Sequence, residues 1–307
     1  MVVIAGPTGV GKSHLALDLA RANSLEIVSA DSRQVYRRLD IGTAKPSIEE
    51  RARVPHHLVD YVEPDEPYSV ARYRDDGDAA LADISVRGLG ALVVGGSGHY
   101  IQALVDRIEP PRVAPRPELR AELEAFAAEQ GSAALHAKLA AADPSAAQAI
   151  PPANVRRVIR ALEVVRVTGR PFSELGRRRR PPHNALRLAL TMPRAALYER
   201  ADARTVQMLE VGWIDEVSAL LARGYDPALP ALSSTGYREL IAHLRGELTL
   251  DDAVQRIKWA THAYIRRQYI WLRRQPGYTW IDADSDGFSR AALLVSRHLA
   301  RIGRSGV

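Results

Sequence analysis

Apolar residues fall along this chain in two rhythms. Short runs such as Val2-Val3-Ile4-Ala5, Leu25-Glu26-Ile27-Val28 and Ala91-Leu92-Val93-Val94 read as strands buried on both faces of a parallel sheet. Leu186-Arg187-Leu188-Ala189-Leu190 returns to strand pattern, and His57-Leu58-Val59-Asp60-Tyr61 and Tyr278-Thr279-Trp280-Ile281 are further candidates. Between the runs, apolar positions recur at helical spacing. Leu15 to Ala20 follow the first run, and 69–86 reads as a helix on Val70, Tyr73, Gly77, Ala80, Leu81 and Ile84. Further helices are predicted around 194–209, 214–222, 238–244 and 288–302. The longest is expected from about 250 to 274, with Asp251 and Asp252 favourable at its positive N-terminal end. Ala253, Ile257, Ala260, Tyr264, Ile265, Trp271 and Leu272 form its predicted apolar face, and Arg256, His262, Arg266, Arg267, Arg273 and Arg274 its polar one.

The alternation fails near Pro110-Pro111. No strand candidate lies between 116 and 176, and Leu119, Leu123 and Phe126, then Leu135 and Leu139, then Val155 to Val167 mark three helices. Arg177-Arg178-Arg179-Arg180-Pro181-Pro182 reads as an exposed linker before the sheet resumes.

Chemistry enters at the first turn, Gly6-Pro7-Thr8-Gly9-Val10-Gly11-Lys12-Ser13, set between the first strand and the first helix. That context makes G-x-x-x-x-G-K-S a phosphate-binding loop. Glycines let successive N–H groups turn inward, and the helix N-terminus adds positive potential. Lys12 would reach a terminal phosphate, and the Ser13 hydroxyl would take one position on Mg²⁺. The expected architecture is α/β: a P-loop-type doubly wound parallel sheet core, 1–111 and 184–307, carrying an all-helical insertion domain, 112–183. At the carboxyl edge of such a sheet, where ligands bind, the phosphate loop meets Asp31-Ser32-Arg33-Gln34 and Gly95-Gly96-Ser97-Gly98. Asp31 is a candidate Mg²⁺ ligand, a general base, or simply a turn-capping residue. An ATPase usually carries an acidic residue after the corresponding strand. Here Val93-Val94 is followed by Gly95-Gly96, which weakens the ATPase reading.

The 307 residues contain no cysteine, which excludes disulfides, cysteine zinc sites and thiol nucleophiles. No apolar stretch is long enough to span a membrane, and the first strand begins at the second residue, leaving no signal peptide. A cytoplasmic protein is expected. The formal charge is +6, almost all of the excess being arginine, since Lys12, Lys45, Lys138 and Lys258 are the only lysines. A basic balance suits a polyanionic partner, and compositional bias of the source genome would produce it equally well.

Taken together, these segments closely resemble one family. Gly6-Pro7-Thr8 before Gly11-Lys12-Ser13, then Asp31 to Tyr36, then Gly95-Gly96-Ser97-Gly98-His99-Tyr100, resemble the isopentenyl-pyrophosphate transferases that act as tRNA dimethylallyltransferases. So do Pro117-Glu118-Leu119-Arg120, Asn154 to Arg157 with Arg160 to Glu163, Arg204 before Met208-Leu209, Gly236 to Leu240, and Arg267-Gln268 before Trp271. The resemblance covers nearly the whole chain in order. It implies transfer of a dimethylallyl group from its diphosphate to the exocyclic amine of a tRNA adenosine at position 37, with Mg²⁺ as cofactor and pyrophosphate as leaving group. It makes Asp31 the base, Arg204 a pyrophosphate contact, and Ser97 a third catalytic-site residue. It also places Asp31, Ser32, Arg33, Gln34 and Ser97 at the flipped base, and Arg120, Arg156, Arg157 and Arg160 on the anticodon stem-loop. A monomer is expected.

Ser97 and Ser13 stand where the family often has Thr, His99 where Leu is common, and Ser233-Ser234-Thr235 is more polar than usual. None removes a reacting group. Two enzyme readings stand beside this one: a small-molecule kinase using the same loop, and a prenyltransferase acting on a free adenine nucleotide. A non-catalytic RNA-binding module is a third class, disfavoured by the intact loop. The insertion arginines, without the resemblance, would read as a solvated helix face.

Overall fold

The structure, a computed structural model, describes residues 1–175 and 183–304. The predicted linker Arg177–Pro182 lies outside them. Two compact units are present, Met1–Val105 with His183–Val307, and Asp106–Pro182.

The first unit opens with β1 (Val2–Ala5), α1 (Lys12–Asn23) and β2 (Leu25–Ala30), followed by α2 (Ile48–Arg53), β3 (His56–His57), α3 (Val70–Val86), β4 (Gly90–Gly95) and α4 (Gly98–Leu104). The second unit holds α5 (Pro117–Ala142), α6 (Pro144–Ala149) and α7 (Val155–Thr168). The first unit then resumes with β5 (Leu186–Thr191), α8 (Arg194–Glu210), α9 (Trp213–Ala222), α10 (Tyr237–Leu244), α11 (Leu250–Arg273), β6 (Thr279–Asp282) and α12 (Ser285–Arg304). His183 N–H donates to the Val105 carbonyl at 3.0 Å, where the first unit's two segments meet.

All six strands are parallel, in the order β3-β2-β4-β1-β5-β6. β1 alternates between two cores. Val2 and Ile4 pack with α1, α8, α11 and α12, whereas Val3 and Ala5 pack with α3 and α4. Its residues are therefore apolar without interruption, as expected for a strand covered on both sides. The register aligns Ala5 with Gly95, and Gly95 with Ala30. Gly6, Gly96 and Asp31 consequently leave the sheet side by side. Gly95 has no alternative here, because a Cβ would lie 2.1 Å from the Ala30 carbonyl oxygen.

The third strand is shorter than its sequence suggests. His56 and His57 pair with β2, but Leu58 and Asp60 both take a φ of +61°, so the extended run ends. Two short helices escape the apolar pattern, though their caps are legible. Ser47 accepts from Glu50 N–H while Glu50 returns the bond to Ser47 N–H, a capping box. Asp143 caps α6 ahead of Pro144 in the same way that Thr249, rather than the acidic pair behind it, caps α11. α5 breaks at Gly131, whose backbone is non-helical, which gives the two helices expected there.

The loop between β2 and α2 is pinned from α9. The Glu216 carboxylate accepts the N–H groups of Asp40 and Ile41, each at 2.7 Å, and of Gly42 at 3.3 Å, and also the Tyr237 hydroxyl at 2.6 Å. Beside it the Trp213 ring occupies the space a side chain would need at Gly42 and at Gly236. Thr43 and Ala44, held by this arrangement, offer their carbonyls to the Gln34 side chain at 3.2 and 3.0 Å. Glu216→Ala should therefore lower stability by about 2 kcal/mol, since charge-assisted bonds to backbone N–H groups are among the stronger ones. Urea unfolding checks this, and an unchanged midpoint would show that the loop holds itself.

Candidate active site

The phosphate loop has the shape its glycines allow. Gly9 and Gly11 take φ of +81° and +100°, values that side chains disfavour. Lys12 sits over the loop and donates to the Pro7 carbonyl at 2.8 Å. Burial pulls its ammonium down to about 8, against the opposing pull of Asp31 and with further lowering from Arg204. These groups line one cavity of about 470 Å³, together with Ser13, Gln34 and, from α8, Arg200 and Arg204. Burial and then the charge of Arg200 pull the Arg204 guanidinium below its ordinary value. Three cations thus surround a cavity whose acidic members are Asp31 and, further along, Glu50. Such a field suits a multiply charged phosphate ligand.

Asp31 has the turn-capping contacts that its sequence position allows. Its Oδ1 accepts Arg33 N–H at 2.8 Å and, more loosely, Gln34 N–H at 3.4 Å, which is a turn cap. Oδ2 accepts no hydrogen bond among the described residues. Ser97 stands across from it, its Oγ accepting Ser32 N–H at 3.1 Å. The hydroxyl is what this contact uses, so serine serves where threonine would. Gln34 is held from the loop behind, and Arg33 donates to the Pro230 carbonyl. Tyr264 of α11 adds a phenol, which burial and then the nearby charge of Asp31 push up to about 12. His99 is exposed in the first turn of α4, and Ser233 and Ser234 bond locally to the carbonyls of Pro230 and Ala231, both at 2.7 Å.

Sequence reasoning quoted Gln268 only within a family motif and gave it no role. It lies buried on α11, inside the stripe predicted to be apolar, and bonds to the phosphate loop at Thr8 and to β4's exit at Gly96. A polar residue within the buried stripe of an amphipathic helix was the available signal. Arg200, one turn before Arg204 on the same helix, was likewise passed over.

The second unit separates the four insertion arginines into two pairs. Arg156 and Arg157 are exposed at the start of α7. Arg120 and Arg160 instead converge on Glu163, whose side chain is fully buried. Arg120 forks onto it with two bonds of 2.8 Å, Arg116 N–H adds a third at 2.7 Å, and Arg160 also reaches the Val113 carbonyl at 2.9 Å. Burial alone would raise the Glu163 carboxyl, but these donors outweigh it and hold it at about 2. The pair therefore braces the unit that presents Arg156 and Arg157.

Comparison with known proteins gives a consistent result. The family model described as IPP transferase matches residues 34–275, and one described as isopentenyl transferase matches residues 1–56. The tRNA dimethylallyltransferase of Roseiflexus sp. (strain RS-1) is 50% identical over 297 residues, 97% of each chain. That of Chloroflexus aurantiacus is 54% identical over 276 residues, 90% of this chain and 93% of the relative. Among solved structures, the full-length tRNA isopentenylpyrophosphate transferase of Bacillus halodurans matches with a TM-score of 0.74 and 38% identity, covering 99% of this chain and 98% of its own. A eukaryotic dimethylallyltransferase acting on tRNA matches with a TM-score of 0.80 and 28% identity, over 98% of this chain and 79% of its own.

Two pH effects follow. Lys12, at about 8 without a ligand, regains its proton beside an anion, so inorganic pyrophosphate should bind with proton uptake and lose affinity as pH rises through about 8. Calorimetry in buffers of different ionisation enthalpy, with Lys12→Ala to subtract the ligand's own titration, measures this. A wild type and variant with parallel pH profiles would remove Lys12 from the anion site. Glu163, held low, contributes stability that is complete above the ordinary carboxylate range and lost as pH falls through about 2. The stability gap between wild type and Glu163→Gln should therefore be constant near neutrality and shrink progressively below about pH 4. A gap indifferent to acid would show that charge at Glu163 is not what holds the unit.

Proposed function

This chain belongs to the IPP transferase family, and on that premise we propose that it transfers a dimethylallyl group from dimethylallyl diphosphate to the exocyclic amine of a tRNA adenosine, at position 37 beside the anticodon. The carrying observation is that Asp31, with one carboxylate oxygen uncommitted, shares a cavity with the phosphate loop and Arg204. No carboxylate follows β4, where a nucleotide hydrolase would need one.

In this reading the phosphate loop is a clamp on the leaving group. The amine nitrogen attacks C1 of the dimethylallyl group, a C–N bond forms, and the C1–O bond breaks with its electron pair leaving on pyrophosphate. Backbone N–H groups of the loop, Lys12 and Arg204 stabilise the charge that grows on that pyrophosphate. The amine's lone pair is delocalised into the adenine ring, so it needs help as a nucleophile. Asp31 Oδ2 takes its proton during attack, while Oδ1 keeps the carboxylate oriented through the Arg33 and Gln34 N–H groups. Ser97 and Ser32, already joined, border the flipped base, and Gln34 is held in place beside them.

Mg²⁺ fits this donor set as a cation carried with the substrate. Among the described residues no group of three His, Cys, Asp or Glu side chains is arranged to hold a metal, whereas the Ser13 hydroxyl lines the cavity beside Lys12. Magnesium commonly keeps few protein ligands and several phosphate oxygens and waters. When bound, it would neutralise phosphate charge.

Arg156 and Arg157 supply the exposed positive charge for the anticodon arm, on a helix braced by Arg120 and Arg160. Among the described residues no helix is long and apolar enough to cross a membrane. The reading takes the chain as a cytoplasmic monomer.

Incubation with Mg²⁺, radiolabelled dimethylallyl diphosphate and unmodified tRNA, with AMP and ATP as parallel acceptors, tests the reaction. Label in tRNA alone is expected. Label in a free nucleotide would keep the chemistry and overturn the acceptor, and no label anywhere would return the kinase reading. Asp31→Ala should bind tRNA normally and turn over 10²–10⁴-fold more slowly, the range of general-base catalysis. Arg156→Ala with Arg157→Ala should weaken tRNA binding and flatten its salt dependence. If both stay as in wild type, that face of α7 does not meet RNA.

A further inference from the structure

Gln268 connects two loops that the proposed reaction uses separately. It stands on α11, 7% exposed, with both ends of its amide engaged. Oε1 accepts the Thr8 N–H of the phosphate loop at 2.9 Å, and Nε2 donates to the Gly96 carbonyl at 3.1 Å. The contact is flush as well as polar. A Cβ on Gly96 would lie 2.2 Å from Gln268 Nε2, so the second glycine of Gly95-Gly96 is the space this amide occupies. One residue further, Ser97 Oγ accepts Ser32 N–H at the Asp31 turn. A continuous path thus runs from the phosphate loop, through one side chain, to the loop that borders the base.

Few other side chains could make this bridge. It needs an acceptor and a donor on one rigid plane, close enough together to span neighbouring backbones. A carboxylate offers acceptors only, and Asn is one methylene shorter. Among the described residues the Thr8 N–H has no other acceptor, and the turn's own closing bond, Val10 N–H to the Pro7 carbonyl, is long at 3.4 Å. The backbone closure of the turn is therefore weak, and Lys12 from within and Gln268 from outside fix where its remaining N–H groups point. Preorganised donors are what make an anion clamp effective, because they need no reorganisation when charge develops.

We infer that Gln268 is a positioning residue that sets the geometry of the phosphate loop for the diphosphate and locks it to the Gly96-Ser97 loop. The inference rests on the reading of the loop as a diphosphate clamp. It assigns Gln268 no contact with substrate and no part in proton transfer. Its effect lies in donor binding and in keeping the donor and acceptor loops at a fixed separation.

The test uses the full chain and inorganic pyrophosphate with Mg²⁺, measured by calorimetry. Gln268→Met keeps the volume and removes both bonds, and should weaken pyrophosphate by roughly 10-fold or more, the scale of one or two hydrogen bonds. In the prenyl transfer assay the same variant should raise KM for the donor and leave KM for tRNA near the wild-type value. Gln268→Glu supplies a readout that a merely structural role would not move. As a carboxylate it cannot donate to Gly96, but as a carboxylic acid its O–H can donate while its C=O accepts from Thr8. The ratio of wild-type to variant affinity should therefore fall toward one as pH is lowered through the carboxyl's pKa. Thermal unfolding of each variant separates loss of fold from loss of geometry.

Wild type that binds pyrophosphate, with folded variants that bind equally well, would overturn the role given to Gln268 and leave the clamp standing. A pH-independent ratio in Gln268→Glu would overturn the bridging amide in the same way. Wild type that does not bind pyrophosphate would remove the clamp, and the positioning role with it.

Discussion

The shared level at which three parallel strands end is the constraint on which this site depends. Ala5, Gly95 and Ala30 are paired across β1, β4 and β2, so the next residue of each strand emerges beside the others. Parallel pairing has no hairpin to set its register. Here it is set by burial on both faces, because a slip of one residue would exchange the two cores that β1 fills. The cost of that arrangement is concentrated at Gly95, where no side chain fits against the Ala30 carbonyl. With the register fixed, a phosphate loop, a carboxylate and a hydroxyl are delivered together from sequence positions almost a hundred residues apart.

Each delivered group is then held from outside the sheet. Gln268 comes from α11, Arg200 and Arg204 from α8, and the Glu216–Trp213 anchor from α9. All three helices follow β5 in the chain, after the second unit. The segment that carries the recognisable phosphate loop thus supplies Asp31 and Ser97, and the segment after the insertion supplies much of what holds this edge of the sheet. This explains why the catalytic unit is assembled from two separated stretches. An Asp that caps its own turn is compatible with the proposed role of base, because one oxygen is occupied by the backbone and the other is not.

What the sequence disclosed follows from the range of the interaction concerned. β1 and β4 were legible because burial on both faces leaves a continuous apolar run, β2 and β5 because their apolar residues are broken only by Glu26 and by Arg187, and α3 and α11 because one buried face imposes a period. β3 was overestimated, since nothing local announces the left-handed conformations of Leu58 and Asp60. α2 and α6 were missed for lack of an apolar stripe, although the capping pairs at Ser47–Glu50 and Asp143–Ala146 were present. Within the site, Asp31, Ser97 and the loop belonged to local motifs. Gln268 bonds to residues 260 and 172 positions away, and Glu216 to residues some 175 positions away, distances over which periodicity carries no information. The insertion arginines show where local reading stops. Their chemistry was read as uniform, and only the fold distinguishes Arg120 and Arg160, which neutralise a buried Glu163, from Arg156 and Arg157, which face solvent.

The end of β4 shows how one phosphate loop is committed to one kind of chemistry. A nucleotide hydrolase places a carboxylate there to manage a metal and a water. Here the position is occupied by Gly96, whose missing side chain admits the Gln268 amide. The space beside the phosphate loop is thereby filled by a neutral amide in place of a carboxylate. The acidic group instead sits at the end of β2, across the cavity, where its uncommitted oxygen can serve a nucleophile other than water. On the proposed reading, a loop that can bind many phosphates is restricted by these neighbours to stabilising a departing diphosphate, with the proton taken up on the other side of the cleft.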